Sequence, residues 1–271
     1  MKRAYIGIRQ EPHYRRDAFV NGLKAVGYDV RLGPPRDIDE DTVYVSWNRY
    51  NEGHEYCNKV EQAGGTCLIA ENAYLGPQGQ SPHEMNPRCW YALSIGYHNG
   101  AGSWHVGGPE RFAALNVELK PWRTEGSHVL ILPNRSFGVP ELAMPYDWPR
   151  KVVERLQRVT KREIRVRPHP GNGAHKTPLA KDLENAWAAV IWSSSAGVQA
   201  LIEGVPVVYE APYWICSGAA SRQIENIESG FIRRRCRLES FRRMSFAQWR
   251  VDEIASGEAF RRLLQKESIA A

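Results

Sequence analysis

Residues 187–209 read Trp-Ala-Ala-Val-Ile-Trp-Ser-Ser-Ser-Ala-Gly-Val-Gln-Ala-Leu-Ile-Glu-Gly-Val-Pro-Val-Val-Tyr. Residues 188–192 form an apolar run of strand length, 193–197 a turn of small residues, and 198–202 have helical spacing. Gly204 stops that helix before a second apolar run over 205–209. A strand, helix and strand this close together pair in parallel through a right-handed crossover, which makes the chain an α/β protein. Serines and a glycine between the first strand and the helix put small side chains and open backbone N–H groups where an anion such as phosphate would sit. The same residues are also ordinary turn and cap formers, so what lies beside them decides their reading.

Upstream, residues 163–167 alternate as a half-buried strand and run into Pro168, His169, Pro170 and Gly171. Arg165, Arg167 and His169 therefore gather at a strand end, and open α/β sheets bind ligands at the carboxyl ends of their strands. Arg-x-Arg-Pro-His-Pro, a Ser-Ser-x-Gly turn, a helix and Gly-x-Pro-Val-Val together resemble the carboxyl-terminal half of glycosyltransferases built from two Rossmann domains, the GT-B architecture. The pattern, over residues 127–210, is similar in particular to the His-Pro and Ser-Ser motifs of bacterial capsule, sialyl- and polyol-phosphate transferases. In those families the histidine and the Ser/Thr turn contact the donor's nucleotide or phosphate, which by position implicates His169, Ser194, Ser195 and Gly197. Many such transferases bind the donor's ribose on the helix after the turn, where this chain has Glu203. Arg135, Arg167 and the backbone amides from Ser193 onward add charge and donors for a departing phosphate. The expected fold is α/β with two Rossmann-like parallel-sheet halves facing a central cleft, an acceptor-side domain at 1–122 and a donor domain with closing helices at 123–271.

The first half repeats strand and helix: strands at 4–8, 29–32, 42–47 and 66–70, helices at 15–26 and 52–63. Its strands end in Arg9, Gln10, Glu11 and His13, in Asn48 and Arg49, and in Glu71 and Asn72, polar groups that mark one rim of a cleft. Residues 76–108 are rich in Gly, Pro, Asn and His and read as a long ordered loop carrying His98, with periodicity only at 90–95. Deprotonating an acceptor hydroxyl needs a carboxylate or imidazole. Glu71, Glu11, His13 and His98 are the candidates, with Glu71 first because it follows an apolar strand.

The 271 residues are 42% hydrophobic, enough for a globular core. No run approaches the roughly 18 apolar residues of a membrane span, and no signal-peptide core opens the chain, so a cytoplasmic protein without a span is expected. Five scattered cysteines without metal spacing read as free thiols. A formal charge of +6 and arginine clusters favour an anionic partner. The compact, Trp- and Arg-rich chain resembles phage transferases that put sugars on hydroxymethylated DNA bases; there Arg233, Arg234, Arg235 and Arg237 would neutralise DNA phosphates. Those arginines serve equally as a solvated helix face. A surface glycan or polyol phosphate is the rival acceptor, and a non-catalytic nucleotide or nucleic-acid binding protein the rival class. The partners expected are a nucleotide-sugar and DNA. The 37–41 acidic run reads as a solvated turn, so neither a metal nor a cofactor beyond the nucleotide-sugar is expected. Walker A, Gly-x-Gly-x-x-Gly and Gly-x-Ser-x-Gly motifs are absent, against kinase, dinucleotide and hydrolase readings.

Overall fold

The computed structural model describes residues 2–11, 15–80, 89–172, 177–229 and 236–265. The chain divides into two compact units: residues 1–76, 80–111 and 243–271 form the first, and residues 77–79 and 112–242 the second.

The first unit is built on a six-stranded sheet. Its strands are β1 (Arg3–Ile6), β2 (Asp29–Leu32), β3 (Val43–Trp47), β4 (Thr66–Asn72), β5 (Trp90–Ile95) and β10 (Gln248–Arg250), in the order β10-β5-β4-β3-β1-β2. The first four strands are parallel, joined by α1 (Arg16–Ala25) and α2 (Glu52–Gln62), as the strand and helix rhythm predicts. The other two depart from the expected parallel half. β5 runs antiparallel to β4 inside the stretch read as a loop, and β10, inside the stretch read as closing helices, runs antiparallel to β5. Residues 248–250 are too few for a period to show, and residues 90–95 are flanked by the Gly- and Pro-rich composition that argued for a loop.

Two short helices, α8 (Val251–Ala255) and α9 (Glu258–Leu263), follow β10 and belong to this unit, although sequence position had put them with the second half. Phe19 of α1 packs on Tyr91 and Phe260 at centroid distances of 5.6 and 6.4 Å. The other sheet face carries α2 over Tyr5, Tyr44, Cys67 and Ile69. Polar side chains also hold the returning segment. Gln248, fully buried, accepts from the N–H groups of Tyr74 and Leu75 at 3.1 Å each and donates to the Leu75 carbonyl at 2.6 Å. Arg111 makes a bidentate pair with Glu253 at 2.8 and 3.1 Å, donates to the carbonyls of Ser245 and Gln248, and lies 4.2 Å from the Trp249 ring centre.

The second unit has a four-stranded parallel sheet of β6 (His128–Leu132), β7 (Glu163–Val166), β8 (Ala186–Ile191) and β9 (Val207–Tyr209), ordered β7-β6-β8-β9. Every residue of β6 and β8 is buried, as a central parallel strand requires, and their runs are apolar apart from His128 at the start of β6. The helix α4 (Trp148–Val159) starts with Pro149 in its first turn, where a missing N–H costs nothing, and buries Val152 and Leu156 against Val129, Ile131 and Val190. Between β7 and β8 lies α5 (Leu179–Leu183), and between β8 and β9 lies α6 (Ala196–Ile202); α3 (Glu110–Ala114) precedes β6 in the chain and α7 (Arg237–Ser245) precedes β10. After α6 the chain turns at Gly204, whose φ of +74° suits glycine, and any Cβ there would meet the Pro121 carbonyl at 2.0 Å. All five cysteines are free.

Two measurements test this packing. Gly22 in α1 lies so close to α8 that an added Cβ would sit 1.8 Å from the Ile254 carbonyl oxygen, so Gly22→Ala is expected to destabilise the protein by about 1–3 kcal/mol in urea unfolding. His128 is wholly buried, with Nε2 3.0 Å from the Asp182 carbonyl and Nδ1 3.2 Å from the Ser127 hydroxyl. Burial, with the charges of Arg165 and Arg123, holds its pKa below the ordinary 6.5. The unfolded chain therefore binds this proton first: the stabilisation is complete above pH 6.5 and shrinks as pH falls toward the lower folded value. His128→Gln should flatten the stability profile in that interval relative to the parent.

Candidate functional site

In the second unit β6 connects to β7 on one side, whereas β8 lies on the other side and connects onward to β9. The loops after β6 and β8 thus leave neighbouring strand ends in opposite directions, the topological switch point at which open sheets bind ligands. Asn134, just past β6, closes that point. Its Oδ1 accepts the Ser193 N–H at 3.0 Å and its Nδ2 donates to the Ser193 hydroxyl at 3.4 Å. Ser194, buried, accepts the Ala196 N–H on its own hydroxyl at 3.3 Å, and Ser195 is exposed at the start of α6. Gly197 faces inward: a Cβ would meet Ile191 at 2.7 Å and Trp214 at 2.8 Å, so it seats the helix on β8 and presents no side chain to a ligand.

The loop after β7 brings His169 to the same end of the sheet. Its Nδ1 accepts the Gly171 N–H at 2.9 Å, which leaves the proton of the neutral ring on Nε2. Arg135 is exposed, lies across the Phe137 ring at 4.6 Å, and packs against Gly171, where a Cβ would come within 3.1 Å of it. Arg135, His169 and Ser193 to Ser195 are therefore brought to adjoining loops at one end of one sheet.

Other expected ligand groups are committed elsewhere. Arg167 is paired with the Asp182 carboxylate and donates to the Thr177 carbonyl at 2.9 Å; burial lowers its pKa, and its role is to tie the β7 loop to α5. Glu203 follows the last residue of α6, the end away from the serines, and pairs with Lys120 at 2.6 Å. Seven helical residues at 1.5 Å each set it roughly 10 Å along the axis from the turn. Arg237 donates to the carbonyls of Leu201 and Lys120 at 2.7 and 2.6 Å and lies 4.0 Å from the Trp122 ring centre, a structural strut. Arg233, Arg234 and Arg235 lie outside the described residues, as does His13.

The first unit has its own switch point, between β1 and β3. Asn48, just past β3, has a left-handed backbone (φ +61°) and a buried Oδ1 without a partner among the described residues. Arg49 is wholly engaged. It is 3% exposed, makes a bidentate pair with Glu61 at 2.6 Å, donates to the Gly96 carbonyl and Asn58, and lies 4.2 Å from the Tyr97 ring centre. Glu71 lies opposite Ala92 and Ile69 opposite Ser94, so Glu71 and Ser94 share a sheet face. The Ser94 hydroxyl donates to the Tyr97 carbonyl, which brings the loop bearing His98 onto that face. His98 Nδ1 is buried without a partner among the described residues, and the Asn99 N–H donates to the Tyr74 hydroxyl at 2.9 Å. Glu71 is half-buried, and Glu11 follows β1 in the neighbouring loop.

Asn134 is the site residue that local sequence pattern does not single out. Its partner is 59 positions away, so only the adjacency of β6 and β8 reveals the link. Asn134→Leu leaves the Ser193 N–H without its acceptor and is expected to cost about 1–2 kcal/mol in urea unfolding, whereas Asn134→Asp, which keeps an acceptor, costs less. By the same measurement Arg167→Ala should destabilise the protein and the exposed Arg135→Ala should not.

No protein-family model matches the chain, and the comparison with curated proteins found no match. Solved structures do match. Thermosulfurimonas dismutans KpsC, beta Kdo 2,4 transferase, is similar over 89% of each chain at 16% identity, with a TM-score of 0.56. The beta Kdo 2,7 transferase of the same protein is similar over 96% of this chain and 99% of that one, at 10% identity and a TM-score of 0.50. At these identities the likeness is one of fold: the chain shares the mixed α/β architecture of these transferases.

Proposed function

We propose that this chain is a glycosyltransferase of the GT-B plan that moves a sugar from a nucleotide-linked donor to a hydroxyl acceptor. The observation that carries the reading is the switch point of the second sheet, where the Asn134–Ser193 link, the exposed Ser195 hydroxyl, His169 and Arg135 converge. In the reaction the bond between the anomeric carbon and the donor phosphate breaks and a bond to the acceptor oxygen forms. Arg135, the Nε2–H of His169 and the serine hydroxyls would stabilise the charge left on the phosphate. Glu71 would take the acceptor's proton, with His98 on the loop laid over the same sheet face.

The solved structures that share the fold are named for Kdo transfer, which supports a glycan acceptor over a DNA base. The DNA reading has no comparable support, because Arg237, the described member of its arginine set, is spent on two carbonyls and an indole ring.

The test is turnover of a panel of CMP-, CDP-, UDP- and GDP-linked sugars, a Kdo donor among them, followed as release of free nucleotide. One donor should be consumed, and His169→Ala and Ser195→Trp should each abolish its consumption while retaining the parent's melting temperature. A donor that binds without being consumed, even with glycan acceptors present, would make the protein a non-catalytic binder. Binding of none would end the proposal.

A further inference from the structure

Beside the switch point of the second unit, a recess of about 360 Å³ opens at the ends of β6 and β7, within the roughly 300–1,000 Å³ range of small-molecule sites. Asn134, Arg135, Phe137, Met144, Tyr146 and Val166 line it together with prolines and Ser136. Three of its apolar side chains face solvent: Tyr146 is 94% exposed, Phe137 61% and Val166 44%. Single exposed apolar side chains are common, but three around one recess form a patch of the kind that marks a binding surface. The Arg135 guanidinium lies 4.6 Å from the centre of the Phe137 ring, so a cation stands beside the aromatic side of the recess.

From this arrangement we infer that the recess is a stacking subsite for the nucleobase of a nucleotide whose phosphate lies at the serine turn; the inference rests on the donor site proposed above. Flat aromatic and proline surfaces suit the π-face of a base. Asn134, Arg135 and Ser136 supply an amide, a cation and a hydroxyl for the base edge and the negative charge. Among the described residues no carboxylate lines the recess, so nothing there repels the negative charge of a nucleotide. Continuity comes from Asn134, which lines the recess and is bonded to Ser193 at the phosphate end. One nucleotide can therefore reach from the turn into the recess.

The experiment is titration calorimetry of CMP, UMP, GMP and AMP, with ribose 5-phosphate and inorganic phosphate as base-free controls, on the parent and on Phe137→Ala, Tyr146→Ala and the double variant. Both side chains are exposed, so the variants should melt with the parent. The double variant is expected to lose roughly tenfold or more in affinity for the preferred nucleoside monophosphate, the loss typical of a removed base stack, and to hold ribose 5-phosphate as the parent does. Unchanged nucleoside monophosphate affinity in the double variant would overturn the subsite and leave the transferase proposal standing, as would an equal loss for ribose 5-phosphate. If the parent binds no nucleotide at all, the donor site falls and the subsite with it.

Discussion

Everything the second unit offers a ligand depends on how the ends of β6 and β8 are joined. The sheet ladder stops at Leu132 and Ile191, and the next polar backbone groups need other partners. Asn134 supplies one by imitating a further ladder rung, with its amide accepting from and donating to Ser193. That fixes where the serine turn begins. Gly197 fixes where it ends, because α6 can approach Ile191 and Trp214 only without a side chain there. Between these two constraints the serines have little freedom, so the geometry of the turn is set by the strands and the core beneath it.

Much of this fold can be read from residue order, and the exceptions share a cause. The β8, α6 and β9 unit declares itself because its apolar runs, turn residues and stop signal each act over a few positions. The same is true of β1 to β4 with their helices. What stays hidden acts at long range or through too few residues: β10 spans three residues, and Gln248 holds backbone 173 positions away. The candidate site divides along the same line. His169 and Ser195 stand out in the sequence because each follows a strand within a few residues. Arg167, Glu203, Arg49 and Arg237 looked like equally good polar groups, yet each is consumed by an ion pair or by carbonyls. Sequence reveals that a cation is near a strand end. It does not reveal whether a carboxylate already owns it.

The exposed recess shows the converse effect. Phe137 and Tyr146 stand in a Pro-rich stretch with no periodicity, so nothing in the pattern assigns them to a core or a surface. Only their exposure beside Arg135 distinguishes them from the many aromatic rings that this chain buries, such as Trp214, Trp249 and Phe241.

The return of the chain to its first sheet also shapes how the protein is made. The second unit is drawn almost entirely from residues 112–242, whereas the first draws on residues 1–76, 80–111 and 243–271. During synthesis the amino-terminal strands leave the ribosome first, yet β5 has its outer partner, and Tyr74 and Leu75 their glutamine, only when residues 248–250 emerge. The sheet that begins first is therefore completed last, and the nascent chain carries an uncovered strand edge while the second unit has everything it needs to close.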